Sequence, residues 1–266
     1  MGPSLPISAA QLTLSYLSVH TSDGVLLRGM HLATTPRRDL AVVVSHGFTH
    51  GVARTPTREL LTAMAEHVDV VSVNFRGHGD SGGRCTVGDV ERLDTDAAVG
   101  WARRAGYPRV ASLGFSMGAA VALRHAGLDP EHPADAVVAV SAPSRWWIRE
   151  TAAMRKLHWL IEQPHGRATG RLLGVRLAGP WDEVPASPVE VIGRIAPTPL
   201  LLVHGDADRW FPPEHARTLR RASREHAELW VEPGMGHGES GTSPELAGRL
   251  VWWITRACAP ISEDVA

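Results

Sequence analysis

Cysteine is nearly absent: the 266 residues include only Cys85 and Cys258. Two cysteines build no disulfide scaffold, and neither sits in a C-x-x-C pair. An excess of one charge is missing too, since 27 basic residues meet 28 acidic ones for a net charge of −1. That balance gives no electrostatic reason to expect nucleic acid or an anionic membrane surface as a partner. No stretch approaches the ~18 consecutive apolar residues of a spanning helix. The start, Met1-Gly2-Pro3-Ser4-Leu5-Pro6, lacks the basic-then-apolar order of a secretion signal. The expectation is a reduced, cytoplasmic protein with no membrane span, acting as a monomer or homodimer. No internal repeat is visible. What is present is a hydrophobic share of 44% in a chain long enough for one substantial core.

Short apolar, β-branched runs alternate with helical patterns. Residues 12–19 alternate, Ser22-Asp23-Gly24 turns, and Val25 to Met30 returns, which predicts an N-terminal hairpin. Strands are predicted at 41–45, 70–73, 110–113, 136–140, 200–203 and 227–231. Helices are predicted at 57–67, 89–105, 117–126, 213–222 and 243–256. This rhythm implies an α/β fold with a mostly parallel central sheet and helices on both faces, in one domain spanning 1–266. One segment breaks it. Residues 143–190 hold Trp146, Trp147, Trp159 and Trp181 among several glycines and prolines, and are far longer than the ~2–6 residues a connection needs. They leave the sheet where sites form in open α/β folds. The segment reads as a small lid or cap insertion, with helices at about 146–162 and 167–176; the alternative is a packed excursion whose tryptophans fill core.

The chemistry concentrates in three places. Gly114-Phe115-Ser116-Met117-Gly118 stands between a strand and a helix, the setting in which G-x-S-x-G holds a serine on a sharp bend. The hydroxyl is then exposed beside the positive end of the following helix. A serine hydroxyl needs a base, which at neutral pH is histidine oriented by an acid. His237 lies in the glycine-rich run Gly234-Met235-Gly236-His237-Gly238, and strand 200–203 leads into His204-Gly205-Asp206-Ala207-Asp208. The residues alone leave Asp206 and Asp208 level as the acid. A tetrahedral oxyanion needs two N–H donors. Met117, after the serine, and Phe48, in His46-Gly47-Phe48-Thr49-His50 after the first central strand, are the expected sources.

With these residues in place, the chain resembles the α/β-hydrolase superfamily, in particular the short-lid serine hydrolases that include carboxylesterases and lysophospholipase-like lipases. The resemblance covers about 25–260. It rests on His46-Gly47-Phe48, Gly114 to Gly118, Gly205-Asp206-Ala207-Asp208 with Gly236-His237, and Asn74-Phe75-Arg76-Gly77-His78-Gly79-Asp80-Ser81. Relatives often begin that last run with aspartate, where this chain has Asn74. The resemblance implies the order nucleophile, acid, histidine, and places the acid on Asp208, the last residue of G-x-x-D.

Other constellations are weak. His46 and His50 would form a metal pair only on a helix, and His78, Asp80 and Asp208 only if the fold gathered them. Gly77, Gly79, Gly82 and Gly83 are not followed by the Lys-Ser/Thr of a phosphate loop, and no nicotinamide fingerprint is present, so no cofactor or metal is expected. Arg76 reads as a loop brace. Arg145, Arg149, Arg155 and Lys156 read as the wet face of a lid helix, or as a greeting for an acidic substrate tail. The expected function is hydrolysis of a carboxylic ester with a small or medium acyl or alcohol group, in a pocket lined by Phe48, Trp146, Trp147 and Trp159. Thioester or amide hydrolysis is the alternative within that chemistry. The alternatives outside it are a non-catalytic small-ligand-binding protein and an interaction module using the tryptophans as a hot spot.

Overall fold

Strands that are apolar at every position need cover on both faces, and the chain supplies it with helices after nearly every strand. The computed structural model describes residues 11–163 and 165–259. The Met1–Pro6 stretch read above for a leader lies outside them, as do the two ends of the 1–266 domain. In chain order the elements are β1 (Gln11–His20), β2 (Leu26–Thr35), β3 (Leu40–Ser45), α1 (Thr55–Ala65), β4 (Asp69–Val73), α2 (Arg92–Arg104), β5 (Arg109–Phe115), α3 (Met117–Gly127) and β6 (Ala136–Val140). Then come α4 (Ala152–Glu162), α5 (Gly166–Leu172), α6 (Pro188–Val191), a 3₁₀ turn, β7 (Leu200–Gly205), α7 (Glu214–Ala222), β8 (Glu228–Glu232), α8 (Gly238–Gly241) and α9 (Pro244–Ala257). Among the described residues no helix is long and apolar enough to cross a membrane.

The eight strands form one sheet in the order β1-β2-β4-β3-β5-β6-β7-β8. The β1–β2 and β2–β4 pairs are antiparallel. Every other pair is parallel. Alternate residues divide between the faces. Val42 and Val44 of β3, with Leu113 and Val138, pack against Leu61 and Met64 of α1 and Leu250 and Ile254 of α9. Ala41 and Val43 pack on the other face against Ala98 and Val99 of α2. Val137 and Leu202 meet Leu123 of α3 and Leu219 of α7 there. Two-sided burial explains why β3 to β7 read as unbroken apolar runs. Arg76 braces loops as expected: it is buried, and it bonds both Asp94 (2.7 and 2.8 Å) and Asp23 (2.7 and 3.0 Å).

Several boundaries move for local reasons. The second hairpin strand runs on to Thr35, paired along its whole length with β1. Helix α2 begins at Arg92 rather than 89, because Glu91 folds the preceding turn around itself by accepting the Thr86 and Gly88 N–H groups (2.6 and 2.9 Å). The first helix of the insertion begins at Ala152 rather than 146. Trp147 has φ of 60°, outside any helix, and Thr151 caps the start by accepting the Met154 N–H. The second is 166–172 rather than 167–176. Chain beyond it turns back to the body, where Val175 and Leu177 bridge to His78 and Cys85. Trp181 Nε1 donates to the Thr86 carbonyl (2.7 Å) nearby.

Candidate active site

The bend at Ser116 follows from what surrounds it. β5 ends at Phe115 and α3 starts at Met117, leaving Ser116 to turn the chain with φ of 54° and ψ of −116°. Backbone this unfavourable persists only where neighbours over-determine it. Ser116 N–H is tied to the Val140 carbonyl of β6 (2.9 Å). A Cβ on Gly114 would lie 2.6 Å from Ala119 N and nearer still to the Gly118 carbonyl. A Cβ on Gly118 would lie 2.6 Å from the His46 carbonyl and nearer to that of Ser45. Both glycines are therefore required by close backbone approach.

The structure brings Ser116, His237 and Asp208 into one hydrogen-bonded line. His237 Nε2 is 2.8 Å from Ser116 Oγ, and His237 Nδ1 is 2.7 Å from Asp208 Oδ2. Asp208 Oδ1 accepts the Trp210 and Phe211 N–H groups (2.8 and 3.0 Å). Burial pushes the Asp208 carboxyl up, but the bond from His237 and the two N–H donors outweigh it and hold it below the ordinary aspartate value. A carboxylate only accepts, so Nδ1 carries the proton and Nε2 presents a lone pair to the serine. Asp206 is used otherwise: its Oδ1 accepts the Gly234 N–H (2.6 Å) and fixes the turn before the histidine.

The Phe48 N–H is aimed by its peptide plane. The Gly47 carbonyl accepts the His50 N–H (3.0 Å) and bonds His46 Nδ1 (2.8 Å). In a trans amide the N–H points opposite to that carbonyl. Met117 N–H is in the first turn of α3, where no intrahelical acceptor exists. Neither N–H donates to another described residue. Three side chains that sequence reasoning missed hold this loop. His46 Nε2 accepts the Phe75 N–H (3.0 Å), His78 Nε2 bonds the Phe48 carbonyl (2.6 Å), and Glu239 Oε1 accepts the Gly47 N–H (2.7 Å). Burial lowers both histidine pKa values, which keeps His46 able to accept. His46 and His78 carry a signal only as histidines beside glycine. Glu239, two residues after His237, carries none. With His78 on carbonyls and Asp208 on His237, these residues are not gathered around a metal position.

Ser116, Met117 and Phe48 open into a cavity of about 820 Å³ whose other wall is the 143–190 segment. Trp146, Trp147 and Trp181 line it, with Trp181 tilted against Trp146 and edge-on to Trp147, ring centroids 5.4 and 5.5 Å apart. Trp181 was not among the expected pocket residues. Trp159 is a correction: it does not line the cavity and is 58% exposed. Helix α4 turns Leu157 and Ile161 inward at i,i+4, so Trp159 between them points out, against the ring of His165. The insertion's arginines also divide: Arg145 lines the cavity, while Arg149 bonds Glu162.

Comparison with known proteins agrees with this architecture. The chain is similar to human protein ABHD12B, 27% identical over 218 residues, 77% of this chain. It spans only 58% of that relative's length. The Pyrococcus furiosus esterase Pf2001 shares the fold, with a TM-score of 0.72 at 24% identity over 93% of this chain and 94% of that one. So does XC6422 of Xanthomonas campestris, described as a serine hydrolase without a lid, at a TM-score of 0.57, 20% identity and 96% of both chains. The family model described as serine aminopeptidase, S33, matches residues 36–175, more than half of the chain, and with the bend at Ser116 inside that span, this protein belongs to that family of serine hydrolases in the α/β-hydrolase superfamily.

Proposed function

We propose that the chain is a carboxylesterase that works through an acyl-enzyme on Ser116. The observation that carries this is the line Ser116–His237–Asp208 at 2.8 and 2.7 Å, opening into a largely apolar cavity. In this reading His237 Nε2 takes the hydroxyl proton as Oγ attacks the ester carbonyl. Asp208 stabilises the imidazolium that results, and the Phe48 and Met117 N–H groups receive the oxyanion. The imidazolium then protonates the leaving alcohol, and water repeats the sequence to free the acid. Each oxyanion donor is worth about 10²–10³ in kcat in comparable sites. Residues 143–190 serve as the lid, with Trp146, Trp147 and the Phe48 ring as pocket walls. The volume suits a small or medium apolar group, within the roughly 300–1,000 Å³ usual for ligand pockets.

An ester fits better than an aminoacyl amide despite the family's description. An α-ammonium group needs a free carboxylate, and Glu162, the acidic side chain on the described cavity wall, is engaged by Arg149 and His158. The test is a fluorophosphonate probe with a substrate panel of p-nitrophenyl esters, aminoacyl amides and a coenzyme A thioester. One label per chain, lost in Ser116→Ala, together with the highest kcat/KM on esters, is expected. Labelling that survives the substitution removes Ser116 from its role. A higher kcat/KM on amides or the thioester replaces the ester assignment.

A further inference from the structure

The charges on the cavity wall do not balance. Arg145, Glu162 and Arg167 line the chamber. Arg145 is ion-paired with Glu150, and Glu162 with Arg149 (2.8 Å). Arg155 and Arg176, elsewhere on the insertion, hold backbone carbonyls. Arg167 meets no carboxylate and donates no hydrogen bond among the described residues. It stands near the start of α5 with its side chain exposed. Its guanidinium lies along the wall: Nη2 is 3.5 Å from the place a Cβ would take on Gly179, which itself lines the cavity. The group is at the chamber surface and open to whatever enters.

A brace needs an acceptor within the protein, and Arg167 has none. Solvation alone accounts for its exposure but not for its place on the wall of a largely apolar chamber, beside Leu157, Ile161 and Val184. In such chambers the few polar groups orient the ligand. An apolar substrate gains nothing from a guanidinium, and a cationic one is repelled. A carboxylate or phosphate gains charge-assisted bonds that match the planar fork of arginine. Ser116 belongs to the body of the fold, and Arg167 to the insertion that forms the other wall.

We propose that Arg167 receives an anionic group at the far end of the substrate, so that the preferred substrates are esters carrying a carboxylate or phosphate separated from the reacting carbonyl by an apolar stretch. Arg145 adds little to this, because Glu150 offsets its charge. The assignment rests on the carboxylesterase reading above.

Matched substrates test it, followed by pH-stat. Monoethyl adipate, suberate and sebacate carry the anion on the acyl side. Each is compared with the ethyl esters of the corresponding monoamide and ω-amino acid. On the alcohol side, the butyrate esters of 6-hydroxyhexanoate and of hexanediol monophosphate are compared with that of 6-hydroxyhexanamide. In the wild-type protein at least one anionic ester is expected to exceed its amide partner by about fivefold in kcat/KM, the upper range for a partly exposed ion pair. The ammonium esters are expected to be the poorest. The larger of the carboxylate and phosphate ratios names the group received. Arg167→Gln brings the ratio close to one, and Arg167→Glu inverts the order in favour of the ammonium esters. Arg171 is exposed one turn further along α5 and does not line the cavity, so Arg171→Gln leaves the ratio unchanged. No anionic preference in either wild-type series, a preference that survives Arg167→Gln, or one lost equally in Arg171→Gln overturns the proposal. Fluorophosphonate labelling of Ser116 is scored alongside. Labelling without anionic preference defeats Arg167 alone, and absence of labelling defeats the underlying hydrolase reading.

Discussion

Replacing Asp208 by asparagine separates the charge of this side chain from its shape. In the native arrangement Oδ1 accepts two backbone N–H groups, from Trp210 and Phe211, and Oδ2 meets His237 Nδ1. An asparagine must keep its oxygen on the two N–H donors, because turning it would set an amide N–H against both. The NH₂ then occupies the Oδ2 position and donates to Nδ1. That forces the proton of the neutral ring to Nε2, facing Ser116 Oγ, where it cannot accept the hydroxyl proton. The ring would be held in place but in the wrong tautomer. The expected loss is about 10⁴ in kcat, equivalent to about 5.4 kcal/mol of transition-state stabilisation. Stability should change little, since the loop keeps both N–H bonds. Asp206→Asn loses only part of one turn bond to Gly234, so a fall below about tenfold in kcat/KM is expected. The assay is steady-state hydrolysis of a p-nitrophenyl ester, with thermal unfolding to show that both variants fold. If folded Asp208→Asn kept more activity than Asp206→Asn, the tautomer argument would fail and the acid role would pass to Asp206.

Three further outcomes are expected. Gly118→Ala places a Cβ against the Ser45 and His46 carbonyls, and should cost about 1–3 kcal/mol as overpacking does. That is a Tm lower by about 2–12 °C at the usual conversion for this size, with Ser116 labelling weakened; an unchanged Tm refutes the close-approach account. Burial lowers the pKa of His215 from 6.5 to about 4, and those of His46, His78 and His204 also fall below the ordinary value. The unfolded chain therefore binds more protons between about pH 6.5 and 4, so stability should decline as pH falls through that window. Urea midpoints measure this, and His215→Gln should flatten the decline; a flat wild-type profile contradicts it. Trp146→Ala and Trp147→Ala should reorder preference among acyl chain lengths, whereas Trp159→Ala, on the outer face of α4, should leave the order unchanged. A shift caused by Trp159→Ala alone would return that residue to the pocket.

Features encoded locally were legible in the sequence. The sheet showed because β3 to β7 are buried on both faces, which leaves unbroken apolar runs. The elbow showed because two backbone contacts demand glycine on each side of one serine. The choice of Asp208 over Asp206 came from resemblance and not from the residues themselves, because it depends on which carboxylate the loop turns inward, and that is set by the Trp210 and Phe211 N–H groups. Trp159 was placed in the pocket because composition marks a tryptophan-rich segment without giving the rotational phase of α4. Leu157 and Ile161 set that phase, and the start of the helix at Ala152, capped by Thr151, was not visible in a pattern read from 146. The bracing of the Phe48 loop was hidden for another reason. Glu239 reaches Gly47 across 192 positions of chain, and no window along the sequence contains both.

That contact has a consequence for how the molecule is made. A ribosome releases the glycine loop first, the elbow next, and Glu239 long after both. Until Glu239 docks, the Gly47 N–H lacks its acceptor and one end of the Phe48 loop is unfastened. The histidine-bearing turn, which precedes Glu239 by two residues, arrives in the same delivery. The hydrogen-bonded line at Ser116 and the fastening of the Gly47 loop therefore both wait on residues 237–239, which follow the serine bend by more than a hundred positions of chain.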